Sequence, residues 1–298
     1  MPIGLIGVPF NSAGVSGGEA RSPAALRAAG LLKALQRVAA VHDYGDIALP
    51  ATSPQRDPAS GIIAPGNLTM MVDAVRSQVT GAISRGDVPL VIGGECPLLL
   101  GCLAAARDAY GRIGLFFVDG HEDAWPPHRS TTGEAADMEL GLALGLTPTT
   151  GLEDLATLLP LVGPDDVVVL GPRDHDELAA ASITSLAAIV TYLDDQDLLA
   201  TDLVATAKAL TQHVHVAADR WWFHLDLDVL ATESFAAIRY PQPGGLSWPE
   251  LETVTLAALQ TPGLAGWNIT IYNPDLDPDG SGAARIVSFL ERMLEHQP

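Results

Sequence analysis

The sequence is poor in positive charge, with 16 lysines and arginines among 298 residues against 36 aspartates and glutamates. The formal net charge is therefore -20 at pH 7. Because a surface of this sign repels nucleic acid and anionic membranes, we expect neither as a partner. The acidic residues are spread along the chain instead of gathering in a tail, so we attribute most of them to solubility.

Cysteine is also scarce, and the two that occur are Cys96 and Cys102. They lie in one apolar segment predicted to be helical, where the geometry of a disulfide is unfavourable. Free cysteines are typical of a reducing compartment, and no apolar run approaches the roughly 20 residues that a membrane helix needs. The first residues, Met1–Pro9, indicate a strand and not a signal peptide. We therefore expect a cytoplasmic protein.

Short apolar runs alternate with Ala- and Leu-rich helical stretches along the chain. Runs such as Ile113–Val118 and Trp221–Leu227 are typical of strands buried on both faces. Strands that alternate with helices predict an α/β fold, in which a parallel sheet lies between helix layers. Without a repeat or a convincing linker, residues 1–298 are expected to form one domain. The predicted elements include a strand over Val38–Val41 and helices over Pro23–Ala39 and Asp194–Val214.

Two acidic strings follow strand candidates near the middle of the chain. Asp119, His121 and Asp123 alternate in the first string, and Asp226 and Asp228 alternate in the second. Residues two apart on a strand point to the same side, and ligands of α/β sheets bind beyond the carboxyl ends of the strands. Four clustered carboxylates repel one another strongly, and divalent cations relieve that repulsion. The sequence therefore predicts a metal site, which we expect to hold two ions.

These strings resemble, in spacing and order, motifs of the arginase/agmatinase (ureohydrolase) family. The resemblance covers nearly the whole chain, and its main motifs are Asp119-x-His121-x-Asp123, Asp226-x-Asp228, Gly93-Gly94-Glu95-Cys96 and Asn273-Pro274. It implies a three-layer α/β/α sandwich with a mostly parallel sheet, and hydrolysis of a guanidine or amidine C–N bond by a hydroxide held on two manganese ions. It also implies a homo-oligomer, either a trimer or a hexamer.

The resemblance assigns a role to each residue of the two strings. Asp119 and Asp226 would bridge the two ions, and Asp123 would bind the first ion. His121 and Asp228 would bind the second. Two ions lower the pKa of a bridging water and orient it. Asp123 is the catalytic candidate that would accept the proton afterwards.

Cys96 stands where the family has a histidine ligand of the first ion. A thiolate is a softer ligand than an imidazole, so Cys96 as a ligand would shift the preference from Mn²⁺ toward Zn²⁺ or Fe²⁺. One alternative is that Cys96 is a small buried thiol beside a weak or absent first ion. Another is that Cys96 is a nucleophile.

Three further positions depart from the family's substrate pocket. Ala136 replaces a loop histidine that is a proposed proton shuttle, and alanine cannot transfer protons. Ile271 replaces the glutamate that holds the guanidinium, and Trp125 replaces an asparagine that contacts the amino-acid end of arginine. These changes predict a pocket that is less acidic at its base and more aromatic at its mouth. We expect substrate contacts from Trp125, Glu134, Asp137 and Asp176.

The sequence thus favours a metal-dependent hydrolase of a linear C–N bond other than that of arginine. The bond would belong to a small-molecule substrate, either a guanidine, a substituted guanidine, an amidine or an amide. The alternative is a non-catalytic or single-metal relative that keeps the fold for binding or regulation. Metal content discriminates between them, because two ions per chain favour an enzyme and none favours the alternative.

Overall fold

A computed structural model of the protein describes residues 1–296. In this range an eight-stranded sheet has the order β2-β1-β3-β8-β7-β4-β5-β6, and neighbouring strands are parallel. The strands are β1 (Ile3–Val8), β2 (Val41–Asp46), β3 (Val88–Gly93), β4 (Gly114–Val118), β5 (Val167–Leu170), β6 (Thr191–Leu193), β7 (Trp221–Asp226) and β8 (Leu264–Thr270).

Helices cover both faces of the sheet. They are α1 (Ser22–Ala28), α2 (Leu31–Val38), α3 (Pro65–Ser84), α4 (Leu98–Tyr110), α5 (Glu139–Ala143), α6 (Glu153–Ala156), α7 (His175–Ala180), α8 (Asp195–Leu199), α9 (Leu203–Ala218), α10 (Trp248–Leu259) and α11 (Ser281–Glu295). Helices α1, α2, α9, α10 and α11 pack on one face, and α3, α4 and α5 pack on the other. The expected three-layer α/β/α fold is confirmed. A search of the described helices finds none long and apolar enough to cross a membrane.

The central strands are apolar along their whole length because helices cover both of their faces. In β4, Phe116 packs into one hydrophobic cluster and Phe117 into the cluster on the opposite face, and both side chains are fully buried. Burying a side chain of this size contributes about 1.5–3 kcal/mol. This two-sided burial holds the sheet rigid beneath the strand ends that carry the acidic strings.

Three predicted elements differ from the structure. The strand predicted over Val38–Val41 is wrong, because β2 is a polar edge strand that begins where that run ends. The helix predicted over Pro23–Ala39 divides at Gly30, whose φ of 92° favours glycine. The helix predicted over Asp194–Val214 divides before Asp202, whose side chain accepts hydrogen bonds from the first turn of α9.

Strand order brings the two acidic strings together. Strands β4 and β7 are neighbours, and Val118 pairs with Leu225 in their register. The residues that follow, Asp119 and Asp226, therefore emerge side by side at the carboxyl end of the sheet. Gly171, at the end of β5, also approaches closely, because a Cβ there would lie 2.9 Å from the main-chain oxygen of Asp119.

Gly171→Ala tests this close approach. The residue has a φ of 97°, and an added Cβ would also lie 2.5 Å from Val229. Gly86→Ala is the matched control, since its φ is 84° but nothing lies within 4 Å. We expect Gly171→Ala to lower the free energy of unfolding by on the order of 1–3 kcal/mol more than the control. Urea denaturation measures both, and equal losses would contradict this account of the strand ends.

Candidate metal centre

The acidic strings lie at the base of a cavity of about 430 Å³. The cavity opens at the carboxyl end of the sheet, where ligands of open α/β folds bind. Four of the predicted metal ligands line it, namely His121, Asp123, Asp226 and Asp228. Asp119 lies behind them and is fully buried.

The predicted ligands form two overlapping groups. Oxygens of Asp119, Asp226 and Asp228 lie within 4.8 Å of one another, and so do donor atoms of Asp119, His121 and Asp123. Asp119 belongs to both groups, which is the position that a bridging carboxylate requires. The structure thus brings together the five residues that the sequence pattern selected.

Main-chain donors orient these carboxylates and occupy only one oxygen of each. Asp119 Oδ1 accepts a hydrogen bond from the amide of His121 at 2.7 Å, and Asp226 Oδ1 accepts one from the amide of Asp228 at 2.7 Å. Asp119 Oδ2 is buried, and none of residues 1–296 donates a hydrogen bond to it. A buried oxygen without a donor is costly unless a cation neutralises it. The donor set therefore fits divalent ions.

Burial dominates the electrostatics of the centre. It raises the pKa values of Asp119, Asp123 and Asp226 well above their usual range, and neighbouring carboxylates raise them further. Burial alone would raise the pKa of Asp228, but His121 holds it at about 2. The ring nitrogen Nδ1 of His121 lies 2.9 Å from Asp228 Oδ2, so the pKa of His121 rises to about 10 despite burial. Without a metal ion, protons and this ion pair neutralise the centre.

Asp123 is held in a strained backbone conformation. Its φ is 44°, which non-glycine residues rarely adopt. The amides of Leu140 and Gly141 donate to its main-chain oxygen at 3.0 and 3.1 Å, and these bonds hold the conformation. Such strain is concentrated at functional sites. The same contacts tie the first turn of α5 to the centre.

Glu139, the first residue of α5, is a part of the centre that sequence reasoning missed. It is fully buried, and neither of its carboxylate oxygens has a hydrogen-bond partner in the described chain. Donor atoms of Glu139, Cys96, Asp119 and His224 all lie within 4.8 Å of one another. The available signal was a glutamate between Met138 and an apolar helix, where a charged side chain is out of place.

Cys96 lies inside this centre and not on the cavity surface. Its Sγ is 2.7 Å from Asp226 Oδ2 and 3.1 Å from Thr270 Oγ1. Burial and the adjacent Asp226 raise the pKa of the thiol well above its ordinary value. A nucleophilic cysteine needs a lowered pKa and access to substrate, so the geometry favours a ligand role over a nucleophilic one.

His224 faces the same centre but has its proton on the wrong nitrogen for a ligand. Trp222 Nε1 donates to Asn268 Oδ1 at 2.7 Å, which directs the Asn268 amide nitrogen to His224 Nδ1 at 2.8 Å. Burial lowers the pKa of His224 to about 3, so the ring is neutral. Since Nδ1 accepts, the proton lies on Nε2, 3.6 Å from Asp119 Oδ2. The Nε2 proton of His224 therefore points toward the Asp119 carboxylate without forming a hydrogen bond to it.

The predicted substrate contacts divide into two groups. Trp125, Glu134 and Asp137 line the cavity. Asp176 does not contribute to the cavity lining among residues 1–296, because its side chain projects fully into solvent from α7. The next residue, Glu177, lines the cavity instead. The helical turn of α7 therefore directs Glu177, and not Asp176, toward the cavity.

Distant segments of the chain also supply carboxylates to the pocket. Glu19 and Glu95 line the cavity together with Glu134 and Arg239. Arg239 Nη2 lies 2.8 Å from Glu134, and Nη1 lies 3.7 Å from Glu95. Burial, with a contribution from Glu19, raises the pKa of Glu95 to about 8. Ile271, with a φ of 71°, lines the same cavity.

Comparison with known proteins identifies the family of this chain. The sequence model of the arginase family matches residues 1–294. The chain belongs to the arginase family. It is 27% identical over 298 residues to an arginase of Bacillus caldovelox, covering 97% of this chain and 96% of that relative. It is also 27% identical over 295 residues to human arginase-1, covering 96% of this chain and 89% of the relative.

Solved structures show the same fold as this arginase-family protein. A crystal structure of the B. caldovelox arginase has a TM-score of 0.86 at 23% identity and covers 100% of this chain and 99% of its own. Formimidoylglutamase from Bacillus subtilis has a TM-score of 0.74 at 18% identity, with 99% of this chain and 86% of its own covered. Family membership makes the protein a ureohydrolase-type enzyme, in a family whose members hold two metal ions.

Without metal, the arginase-family protein should lose stability as the pH rises. Burial raises the pKa of Asp174 from 3.8 to about 7 and that of Glu95 from 4.5 to about 8, so the native state binds more protons than the unfolded state over those intervals. The stabilisation is complete below the lower values and is lost as the pH rises through the upper ones. The lowered pKa of His224 has the opposite effect on stability, but only below pH 6.5, which is the usual pKa of histidine.

Thermal unfolding in EDTA measures this effect. We expect the melting temperature to fall between about pH 6.5 and pH 8. Over this interval the raised pKa values of Asp174 and Glu95 both make the native state less stable as the pH rises. Saturating divalent ion should flatten the fall, because bound cations stabilise the ionised carboxylates. A melting temperature that rises over this interval in EDTA would contradict the assigned pKa directions.

Proposed function

We propose that this protein is a metal-dependent hydrolase of a linear C–N bond in an amidine or a substituted guanidine other than arginine. The observation that carries the proposal is the convergence of the carboxylates of Asp119, Asp226 and Asp228, with an unpartnered buried oxygen on Asp119. Buried carboxylates in this arrangement need divalent cations. The family resemblance joins that need to C–N bond hydrolysis.

Each ligand has a proposed place in the centre. Asp119 and Asp226 would bridge two ions, Asp123 would bind the first, and His121 and Asp228 would bind the second. Two bound ions supply a water of lowered pKa near neutral pH. Asp123 lines the cavity, within reach of a bound substrate. Its carboxylate can therefore accept a proton and return it to the leaving nitrogen.

The cavity wall supports a substrate other than arginine. Ile271 lies where the family resemblance puts the carboxylate that holds the guanidinium, and an isoleucine cannot form that ion pair. Arg239 adds a fixed positive charge to the same cavity and would repel a free guanidinium. Related folds include proteins named agmatinase, formimidoylglutamase and proclavaminate amidino hydrolase, with TM-scores of 0.70, 0.74 and 0.71. We therefore favour a substrate whose amidine carbon carries a neutral or acidic substituent.

The ions, the assembly and the compartment are proposed from the family resemblance and composition. Mn²⁺ is the ion that the resemblance favours, and Cys96 makes Zn²⁺ or Fe²⁺ the alternative. A cytoplasmic homo-oligomer, either a trimer or a hexamer, is the proposed form. Elemental analysis of purified protein identifies the ions, and analytical ultracentrifugation identifies the assembly.

Asp226→Asn tests the metal centre with a side chain of the same shape. We expect it to lose bound metal and to lower turnover at least about 100-fold, since even outer-sphere partners of metal ligands change activity by 10–100-fold. Asp279→Asn is the control, because Asp279 is an exposed acidic residue outside the cavity lining among the described residues. A metal-replete, fully active Asp226→Asn protein would refute the assignment.

The reaction itself is tested by a screen of the metal-loaded protein. Urea and ammonia release are measured over guanidines, substituted guanidines, amidines, amides and arginine. We expect turnover of at least one amidine or substituted guanidine and little turnover of arginine. Two bound ions without release from any compound would instead favour a non-catalytic binding protein.

Ile271→Glu tests the substrate wall. The new carboxylate should pair with a guanidinium, and a charge-assisted hydrogen bond of about 1.5–3 kcal/mol corresponds to at least tenfold tighter competitive inhibition by L-arginine. Ile271→Leu is the control, because it keeps the apolar wall. If both folded, metal-loaded variants bind L-arginine as the unmodified protein does, Ile271 does not face the guanidine subsite.

A further inference from the structure

We propose that Glu139 and Cys96 together complete a first-ion site of carboxylates and a thiolate that selects Zn²⁺ over Mn²⁺. This inference rests on the proposed function only in requiring that the centre bind metal. It adds a ligand, Glu139, that the family's motifs do not contain. It also explains how the centre can bind its first ion where Cys96 has replaced the expected histidine.

The burial of Glu139 is the first observation in support. Its side chain is fully buried, and neither oxygen has a hydrogen-bond partner among residues 1–296. A buried carboxylate without a donor or a cation is strongly unfavourable. Glu122, which is also buried, shows the ordinary arrangement, because Ser185 and the amide of Leu186 donate to its two oxygens. Glu139 must therefore be neutralised, either by a proton when the metal is absent or by a bound cation.

The backbone holds Glu139 in a defined position beside Asp123. The amides of Leu140 and Gly141, the next two residues of α5, both donate to the main-chain oxygen of Asp123. The amide of Trp125 donates to the main-chain oxygen of Asp137 at 2.9 Å, which joins the same two segments again. The carboxylate of Glu139 is therefore presented by fixed backbone and does not depend on a mobile loop.

The surrounding donors determine the kind of ion. Cys96 Sγ and oxygens of Asp119 and Glu139 lie within 4.8 Å of one another, and Asp226 Oδ2 lies 2.7 Å from the thiol. His224 is within the same radius, but its Nε2 carries a proton and is not free to coordinate. One sulfur and several oxygens remain as ligands. Thiolate ligation favours Zn²⁺ and Co²⁺ over Mn²⁺, and the thiol proton leaves to solvent as the ion binds.

Cobalt titration of the metal-free protein tests the site without any substrate. Co²⁺ bound to a thiolate gives a charge-transfer absorption in the near ultraviolet. We expect the unmodified protein to show a saturable band and Cys96→Ser to lack it. Cys102→Ser is the matched control, because Cys102 is equally buried in α4 and belongs to none of the donor groups found among the described residues. It should keep the band.

Glu139→Gln should keep the thiolate band but bind cobalt at least about tenfold more weakly, as expected for a lost ligand. In EDTA its melting temperature should equal or exceed that of the unmodified protein, because the carboxyl group that it replaces accepts no hydrogen bond in the described chain. A merely structural role for Glu139 would give the opposite result, a lower melting temperature in EDTA and unchanged cobalt affinity.

Competition between ions tests the selectivity. Metal-free protein is dialysed against equimolar Zn²⁺ and Mn²⁺ and analysed for both elements. We expect zinc to prevail in the unmodified protein, and its share to fall in Cys96→Ser and in Glu139→Gln. A wild-type protein that binds cobalt without a thiolate band, or a Glu139→Gln variant with unchanged affinity, would overturn the proposal. Because no substrate is used, a failed hydrolysis screen would leave this result intact.

Discussion

Repulsion among buried carboxylates is the constraint around which this protein is organised. Asp119, Asp123, Asp226 and Glu139 lie in a region from which water is largely excluded, where like charges interact strongly. Main-chain amides satisfy one oxygen of Asp119 and one of Asp226, which leaves the others directed into a common space. Only protons or cations can neutralise that space. The positions of the acidic residues therefore favour the binding of metal ions.

The rigidity of the sheet keeps these carboxylates close together. Parallel strands buried on both faces cannot slide or tilt without exposing apolar surface, so the carboxyl ends of β4 and β7 keep their spacing. The Trp222–Asn268–His224 chain of hydrogen bonds fixes the His224 ring, whose Nε2 lies 3.6 Å from Asp119 Oδ2. Strain at Asp123 and Ile271 persists because the surrounding structure is fixed.

The wall of the cavity includes an arginine of the chain itself. Arg239 pairs with Glu134 and approaches Glu95, so charge of both signs lines the cavity. A guanidinium of the chain itself thus occupies acidic groups that could otherwise attract a cationic substrate. Under the proposed function, Arg239 and Ile271 would discriminate against a guanidinium substrate by denying it an ion pair, and the loss of an ion pair separates substrates more strongly than a difference in apolar size.

The sequence by itself determined the layered α/β architecture and the five ligand candidates, because alternation and two-residue spacing are local properties of the chain. Local patterns did not locate the polar edge strand β2, and they placed Asp176 in the pocket where the turn of α7 presents Glu177. Only the tertiary structure decided that Glu139 reaches the metal centre and that Glu19, Glu95 and Arg239 share a cavity. These residues come from separate segments, and their proximity depends on strand order and helix docking, which no short-range spacing encodes.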